Sequence, residues 1–293
     1  MTRLRGTLLA AAVPLFLLAA CAQPGAGTPS SAAPESASAA PLGGDELVTR
    51  VESFGGFVSP DRTVGRLPAT SVYADGRVIT EGPTPAIYPG PALPHLQVRT
   101  LSPDQVQQLL REATDAGVRS GTDFGQPQVA DAPTTRVTVR TAQGTQSVAV
   151  VALNETQPND RMLTAAQEAA RAKLAGFVQK VGNLSAGGAA TQTVAYQPTS
   201  VAVLARPWIE PGGGAVAQPV LDWSGPALPG DYLNPAFKIG CVVVTGAEAD
   251  QVLTAARKAN QLTPWQAGDA KYLITFRPLL PDEKGCAEFK GNR

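Results

Sequence analysis

The stretch Ser71-Val72-Tyr73-Ala74-Asp75-Gly76-Arg77-Val78-Ile79-Thr80 reads as a β-hairpin. β-branched and aromatic residues on either side favour extended backbone, and Asp75-Gly76 is a dipeptide that tolerates the positive φ angles of a tight turn. A second hairpin is predicted from Arg136 to Thr141 and Gln146 to Leu153, around Gln143-Gly144. Strands joined by such short turns are antiparallel, which separates this chain from folds built on parallel crossovers.

Outward from the first hairpin, Leu47 to Val58 is an apolar, β-rich run interrupted by Gly55-Gly56, and Leu96 to Thr100 is a further strand. Between them, Glu81 to Pro94 is rich in proline and glycine and is expected to be an ordered loop without regular structure. Ser102-Pro103-Asp104 then opens a helix, with an N-cap serine, proline at the first helical position and an acid near the positive helix end. Val106, Leu109, Leu110 and Ala113 form its buried stripe, and Gly117 supplies the stop. A longer helix is expected over Met162 to Val181, with Ala166, Ala170, Leu174, Phe177, Val178 and Val181 inward.

Gly187-Gly188-Ala189-Ala190 marks the expected seam. Beyond it the predicted elements are a strand from Thr193 to Leu204, a strand from Ile239 to Val244, a helix from Ala247 to Asn260 and a strand from Tyr272 to Phe276. The second half echoes the first: Gly90-Pro91-Ala92-Leu93-Pro94 recurs as Gly225-Pro226-Ala227-Leu228-Pro229, Asp-Gln-Val recurs at 104–106 and 250–252, and Asp-Ala at 131–132 and 269–270. The expectation is an α+β body with antiparallel or mixed sheets, helices packed on one face, and two similar halves at 45–184 and 193–293 joined by a linker at 185–192.

The first 44 residues read differently. Arg3 and Arg5 precede an apolar run from Leu8 to Leu18, followed by Leu18-Ala19-Ala20-Cys21. This pattern reads as a bacterial lipoprotein signal over 1–20, cut before Cys21, whose thiol would carry the lipid, the other readings being an ordinary secretory signal or an uncleaved anchor helix with Cys21 incidental. Residues 21–44 are nearly all Ala, Pro, Ser, Gly and Thr, a disordered tether reaching roughly 25–30 Å. The expected address is the outer face of the cell membrane, with the acyl chains as the membrane contact. Removing Arg3 and Arg5 from the 24 basic residues leaves 22 against 24 acidic, so no basic excess points to nucleic acid.

The run Tyr73-Ala74-Asp75-Gly76-Arg77-Val78, then Leu101-Ser102-Pro103-Asp104-Gln105-Val106 with Leu109-Leu110, then Asp131-Ala132-Pro133-Thr134-Thr135, resembles a bacterial extracytoplasmic domain of unknown function. The likeness covers Leu47 to Val181, and the whole chain resembles actinobacterial lipoproteins. Versions of that domain with cysteines carry a pair near the first strands, whereas Ser53 to Pro60 has none. The resemblance implies a small secreted domain and carries no activity.

With Cys21 lipidated, two cysteines remain, Cys241 and Cys286, which in an oxidising exterior read as a disulfide, two buried thiols being the other reading. No metal or cofactor is expected: the two cysteines and the one histidine, His95, lack zinc-ligand spacing. Nor does the sequence offer a catalytic set. There is no Gly-x-Ser-x-Gly around a serine, and Gly212-Gly213-Gly214 lacks the Lys-Ser/Thr of a phosphate loop. Asp75 and Asp131 are turn residues. The candidate binding residues are the aromatics Trp208, Trp223 and Tyr232, placed beside Pro/Gly-rich segments where they could line a groove for an envelope protein, peptide or glycan, or else plug the end of a sheet. Trp265 is assigned to the core. The functional expectation is a non-enzymatic binding or scaffold module at the cell envelope. A solute-binding lipoprotein of a transporter is the first alternative, and a cell-wall hydrolase the second.

Overall fold

The computed structural model describes residues 43–58, 63–141, 144–156, 160–184, 193–210, 212 and 217–291. The leader, Cys21, the tether up to residue 42 and the linker 185–192 lie outside the described residues. Residues 40–293 form one compact unit.

The first layer of strands and helices comprises β1 (Leu47–Gly55), β2 (Thr70–Tyr73), β3 (Arg77–Glu81), β4 (Leu96–Thr100), α1 (Pro103–Asp115), β5 (Pro133–Thr141), β6 (Gly144–Val151) and α2 (Ala165–Asn183) from the first half, with β7 (Val194–Ala195) from the start of the second, the expected Thr193–Leu204 strand being split between the two sheets. Its strands form one sheet in the order β6-β5-β1-β2-β3-β4-β7, antiparallel throughout. Both helices cover one face. Val51, Val72, Val78, Val137 and Val139 point at Leu109 of α1 and at Leu174 and Phe177 of α2, all buried.

The helix starts follow from capping. Ser102 Oγ accepts from Gln105 N while Gln105 Oε1 accepts from Ser102 N, and Thr164 and Gln167 repeat the arrangement at α2. This reciprocal cap satisfies two of the backbone donors a helix start leaves open. It also explains why α2 begins at Ala165 rather than Met162.

The second half contributes β8 (Ser200–Pro207), β9 (Leu221–Asp222), β10 (Asp231–Asn234), β11 (Ile239–Thr245), α3 (Gly246–Ala256), β12 (Pro264–Ala267) and β13 (Ala270–Pro278), in the sheet order β10-β11-β8-β13-β12-β9. The helix ends at Ala256, short of Asn260, because Asn260 organises a turn: its N donates to Thr263 Oγ1 and its Oδ1 accepts from Leu262 N. Thr263 and Pro264 therefore lead into a strand instead of closing a helix. That strand, β12, pairs with β13 across a turn containing Gly268 at φ +58°. Trp265 lies in β12, 1% exposed, in the core beneath α3 with Val203, Val252 and Phe276.

Each half runs strand, helix, hairpin: β4-α1-β5-β6 and β11-α3-β12-β13. Their placements differ, since β5, the first hairpin strand, is the inner one in its sheet, whereas β13, the second, is inner in the other. The two Gly-Pro-Ala-Leu-Pro segments meet in a single core: Ala92 and Leu93 from one, and Leu228 from the other, pack beneath α3.

The segment after β13 lies between the sheets. Leu279 joins the second-sheet core with Phe289, while Leu280 joins Tyr73, Ile79 and Leu96 on the helix-free face of the first sheet. Asp282 accepts from Arg50 Nη2 at 2.7 Å and from the Tyr73 hydroxyl at 2.8 Å; Glu283 pairs with buried Arg277 at 2.6 Å. Burial alone would lower the Arg50 pKa, but Asp282, with Tyr73 and Glu283, reverses this and raises it. Cys286 then bonds Cys241 of β11, closing a 45-residue loop, worth about 4 kcal/mol by chain entropy.

Candidate binding groove

The face of the second sheet opposite α3 is covered only in part. Along β8, Val201, Val203 and Ala205 face α3, so Ala202, Leu204 and Arg206 face away; Leu279 and Phe289 cover the first two. Arg206 and Trp208 continue past that cover into a groove of about 470 Å³. Its floor is a small checkerboard set by strand register. Leu273 of β13 pairs with Arg206 and with Pro264 of β12, and one step on Trp208 N donates to Lys271 O at 2.9 Å. Arg206, Trp208, Leu273, Lys271 and Pro264 thus point to one side, as alternation along strands requires.

One wall comes from the other half of the chain. The loop before β4 crosses to the end of α3, where Gly90 O accepts from Gln261 N at 2.9 Å and Ala92 N donates to Ala259 O at 3.2 Å. Ala92 and Leu93 are held on the α3 side, and Tyr88 and Pro89 reach the groove. Ile209 and Val220 also line it. Tyr88 is 86% exposed and Ile209 80%, so the rim presents large apolar side chains to solvent.

Polar groups are few. Glu210, the one carboxylate among the described residues that line the groove, accepts from Trp208 Nε1 at 3.3 Å, and Gln218 Oε1 accepts from Asn260 Nδ2 at 2.6 Å. The two cations are Arg206 and Lys271.

Of the three aromatics singled out in the sequence, only Trp208 lines this groove. Trp223 sits on the α3 side, its indole donating to Pro226 O at 2.7 Å and its ring edge-on to Trp265 at 5.9 Å, so it closes the core. Tyr232 is half exposed on β10, at the sheet edge farthest from β12 and β9. His95 is exposed, with Nδ1 2.9 Å from Pro83 O. Asp75 accepts from Arg77 N within its turn, and Asp131 adopts φ +54°, as turn residues do. Among the described residues no cluster of His, Cys, Asp or Glu could hold a metal ion, and no helix is long and apolar enough to cross a membrane.

Sequence reasoning missed Arg206, Lys271, Tyr88 and Ile209. Ending the strand at Leu204 hid the first: carried through to Pro207, the alternation puts Arg206 and Trp208 on one face. Tyr88 carries no local signal, because its place depends on a loop docking on the other half. No protein-family model matches the chain, and no curated protein matches its sequence, so the groove's own chemistry carries the functional reading.

Proposed function

We propose that this chain is a lipid-anchored extracytoplasmic protein that binds a ligand over β8, β13 and β12 at the outer face of a bacterial cell membrane. The observation that carries the binding role is the groove, floored by Trp208 and Leu273 and rimmed by exposed Tyr88, Ile209 and Val220. Contiguous exposed apolar surface around a concave site is what interaction surfaces present. The anchor rests on Leu18-Ala19-Ala20-Cys21 and the polar tether behind it.

Binding is favoured over catalysis because the described residues of the lining offer one carboxylate, already hydrogen-bonded to Trp208, while His95 faces Pro83. The transporter alternative draws less support from the topology, since parallel pairing among the described residues is confined to Leu221 and Asp222 against Trp265 and Gln266.

Intact mass and fractionation of wild type and Cys21→Ser test the anchor. The wild type should carry two or three acyl chains in the membrane fraction, and the variant should be unlipidated and released. An unmodified wild type in the medium would sink the anchored reading. In the same cells a photoreactive side chain at Ile209, but not at Tyr232, should acquire an adduct; equal labelling at both would sink the groove's role.

A further inference from the structure

We infer that this chain pairs with a second copy of itself through β6, edge to edge and antiparallel, about a two-fold axis at Ser147. The inference goes beyond the groove and the anchor and depends on neither.

β6 ends its sheet, with β5 as its one strand neighbour. The register fixes which of its peptide groups look outward. Ala152 N donates to Pro133 O at 2.9 Å, one step beyond the Thr134–Val151 pair, so that pair does not exchange hydrogen bonds itself. Alternation then assigns Val150, Val148 and Gln146 to the β5 ladder and turns the N–H and C=O of Ala149, Ser147 and Thr145 to the open side. Val151 O belongs to the same outward set and accepts from Arg171 Nη2 at 2.6 Å, which ends the free run. Among the described residues nothing bonds the outward main-chain groups of Thr145, Ser147 and Ala149, and all of these residues are exposed. Such a row is a template for another extended chain.

The other described edges are blunted. β7 and β9 have two residues each, and β10 has four, with a register shift between Tyr232 and Asn234. β6 runs for eight residues in unbroken register, without proline or charge.

The strand is its own complement. With the two Ser147 residues opposite each other, Thr145 of each copy faces Ala149 of the other, and every outward N–H in the run meets an outward C=O. The side chains brought together are small and uncharged, so no like charges meet. The charges beside them on β5, Arg136 and Arg140, already pair with Glu52 at 2.9 Å and Glu46 at 3.4 Å. A symmetric contact of this kind closes on two copies.

The test uses residues 40–293, the compact unit that contains every core cluster and the disulfide. In sedimentation its mass should rise toward twice that of one chain as concentration increases, as for a small, reversible interface. Ser147→Pro should keep it monomeric with an unchanged melting midpoint, because the N–H it removes lies outside the β5 ladder. Should that variant melt early, paired charges decide. Thr145→Lys with Ala149→Lys sets like charges opposite each other and should weaken association about tenfold, whereas Thr145→Glu with Ala149→Lys sets opposite signs there and should restore it. In cells, a photoreactive side chain at Ser147 of the full chain should label a second copy.

A mass that stays at one chain would overturn the inference, as would association that both charge pairs change equally, or growth past two copies. Adducts at Ser147 with a different protein alone would give the edge another occupant and overturn the second copy. None of these results bears on the Ile209 adduct or the Cys21→Ser fractionation, which test the groove and the address.

Discussion

Tyr73 ends β2 with its ring 0% exposed and its hydroxyl donating to Asp282. Burial, then the adjacent Asp282 carboxylate, raises its pKa well above the ordinary tyrosine value, because a phenolate there would be both desolvated and beside a like charge. Tyr196, whose hydroxyl donates to Leu279 O at 2.8 Å, is pushed up to about 12, chiefly by burial. Both folded pKa values lie above the unfolded value of 10.0, so the stabilisation is fully present below pH 10 and is lost as pH rises through the folded values. The expected outcome of an alkaline titration followed by tyrosinate absorbance is a late-ionising group, Tyr73 and Tyr196, appearing together with unfolding. Tyr73→Phe and Tyr196→Phe should each remove one member of that group. Arg171 shows how a single residue can escape a pattern. At 4% exposure on the inner side of α2 it donates to the carbonyls of Phe124, Val151 and Ala152 and to Thr156 Oγ1, and burial lowers its pKa. A helical period of apolar residues passes over a buried arginine, because the carbonyls that admit it come from outside the helix, at the end of β6 and in the loop holding Phe124.

The helices differ in how their starts are held. Ser102 and Thr164 each complete a reciprocal cap, whereas Thr245, at the start of α3, makes no side-chain capping bond. Ser102→Ala and Thr164→Ala should therefore each cost about 1 kcal/mol in urea unfolding, and Thr245→Ala should stay within about 0.5 kcal/mol. These elements were legible where the signal is local. The Asp75-Gly76 hairpin and the Ser102-Pro103 helix start place elements correctly, because turn and cap chemistry acts over three or four residues, while the expected Gln143-Gly144 turn lies partly outside the described residues. β12 was not legible. Thr263-Pro264-Trp265 follows a helix by a few residues, and only the Asn260 turn, itself tied to Gly90 through its neighbour Gln261, sends the chain back into the sheet. The groove fared likewise: Trp208 was visible as an aromatic near a Pro/Gly-rich passage, but its partners come from β13 and from the Tyr88 loop.

At the scale of the whole molecule, the sheets are joined by sequence-distant contacts that no periodicity announces. Residues 279–283 alternate between the two: Leu279 and Glu283 engage the second sheet, and Leu280 and Asp282 the first. The Tyr88 loop crosses in the other direction, so the groove is complete only when both halves are in place. Asp282→Asn tests whether the halves act as one. The substitution leaves Arg50, only 14% exposed at its side chain, without its carboxylate. Breaking such a pair should cost about 2–3 kcal/mol, below the range for fully buried pairs because Asp282 keeps some exposure to water. If the sheets unfold as a unit, calorimetry of residues 40–293 should show one transition that moves down as a whole. Trp265, in the second sheet, should report the same midpoint as tyrosine signals from the first. Two separated transitions, with only one shifted, would mean that each sheet is stable alone and that the segment from Leu279 to Glu283 merely lies between them. In the single-transition case, loosening at Asp282 reaches the groove through the shared equilibrium.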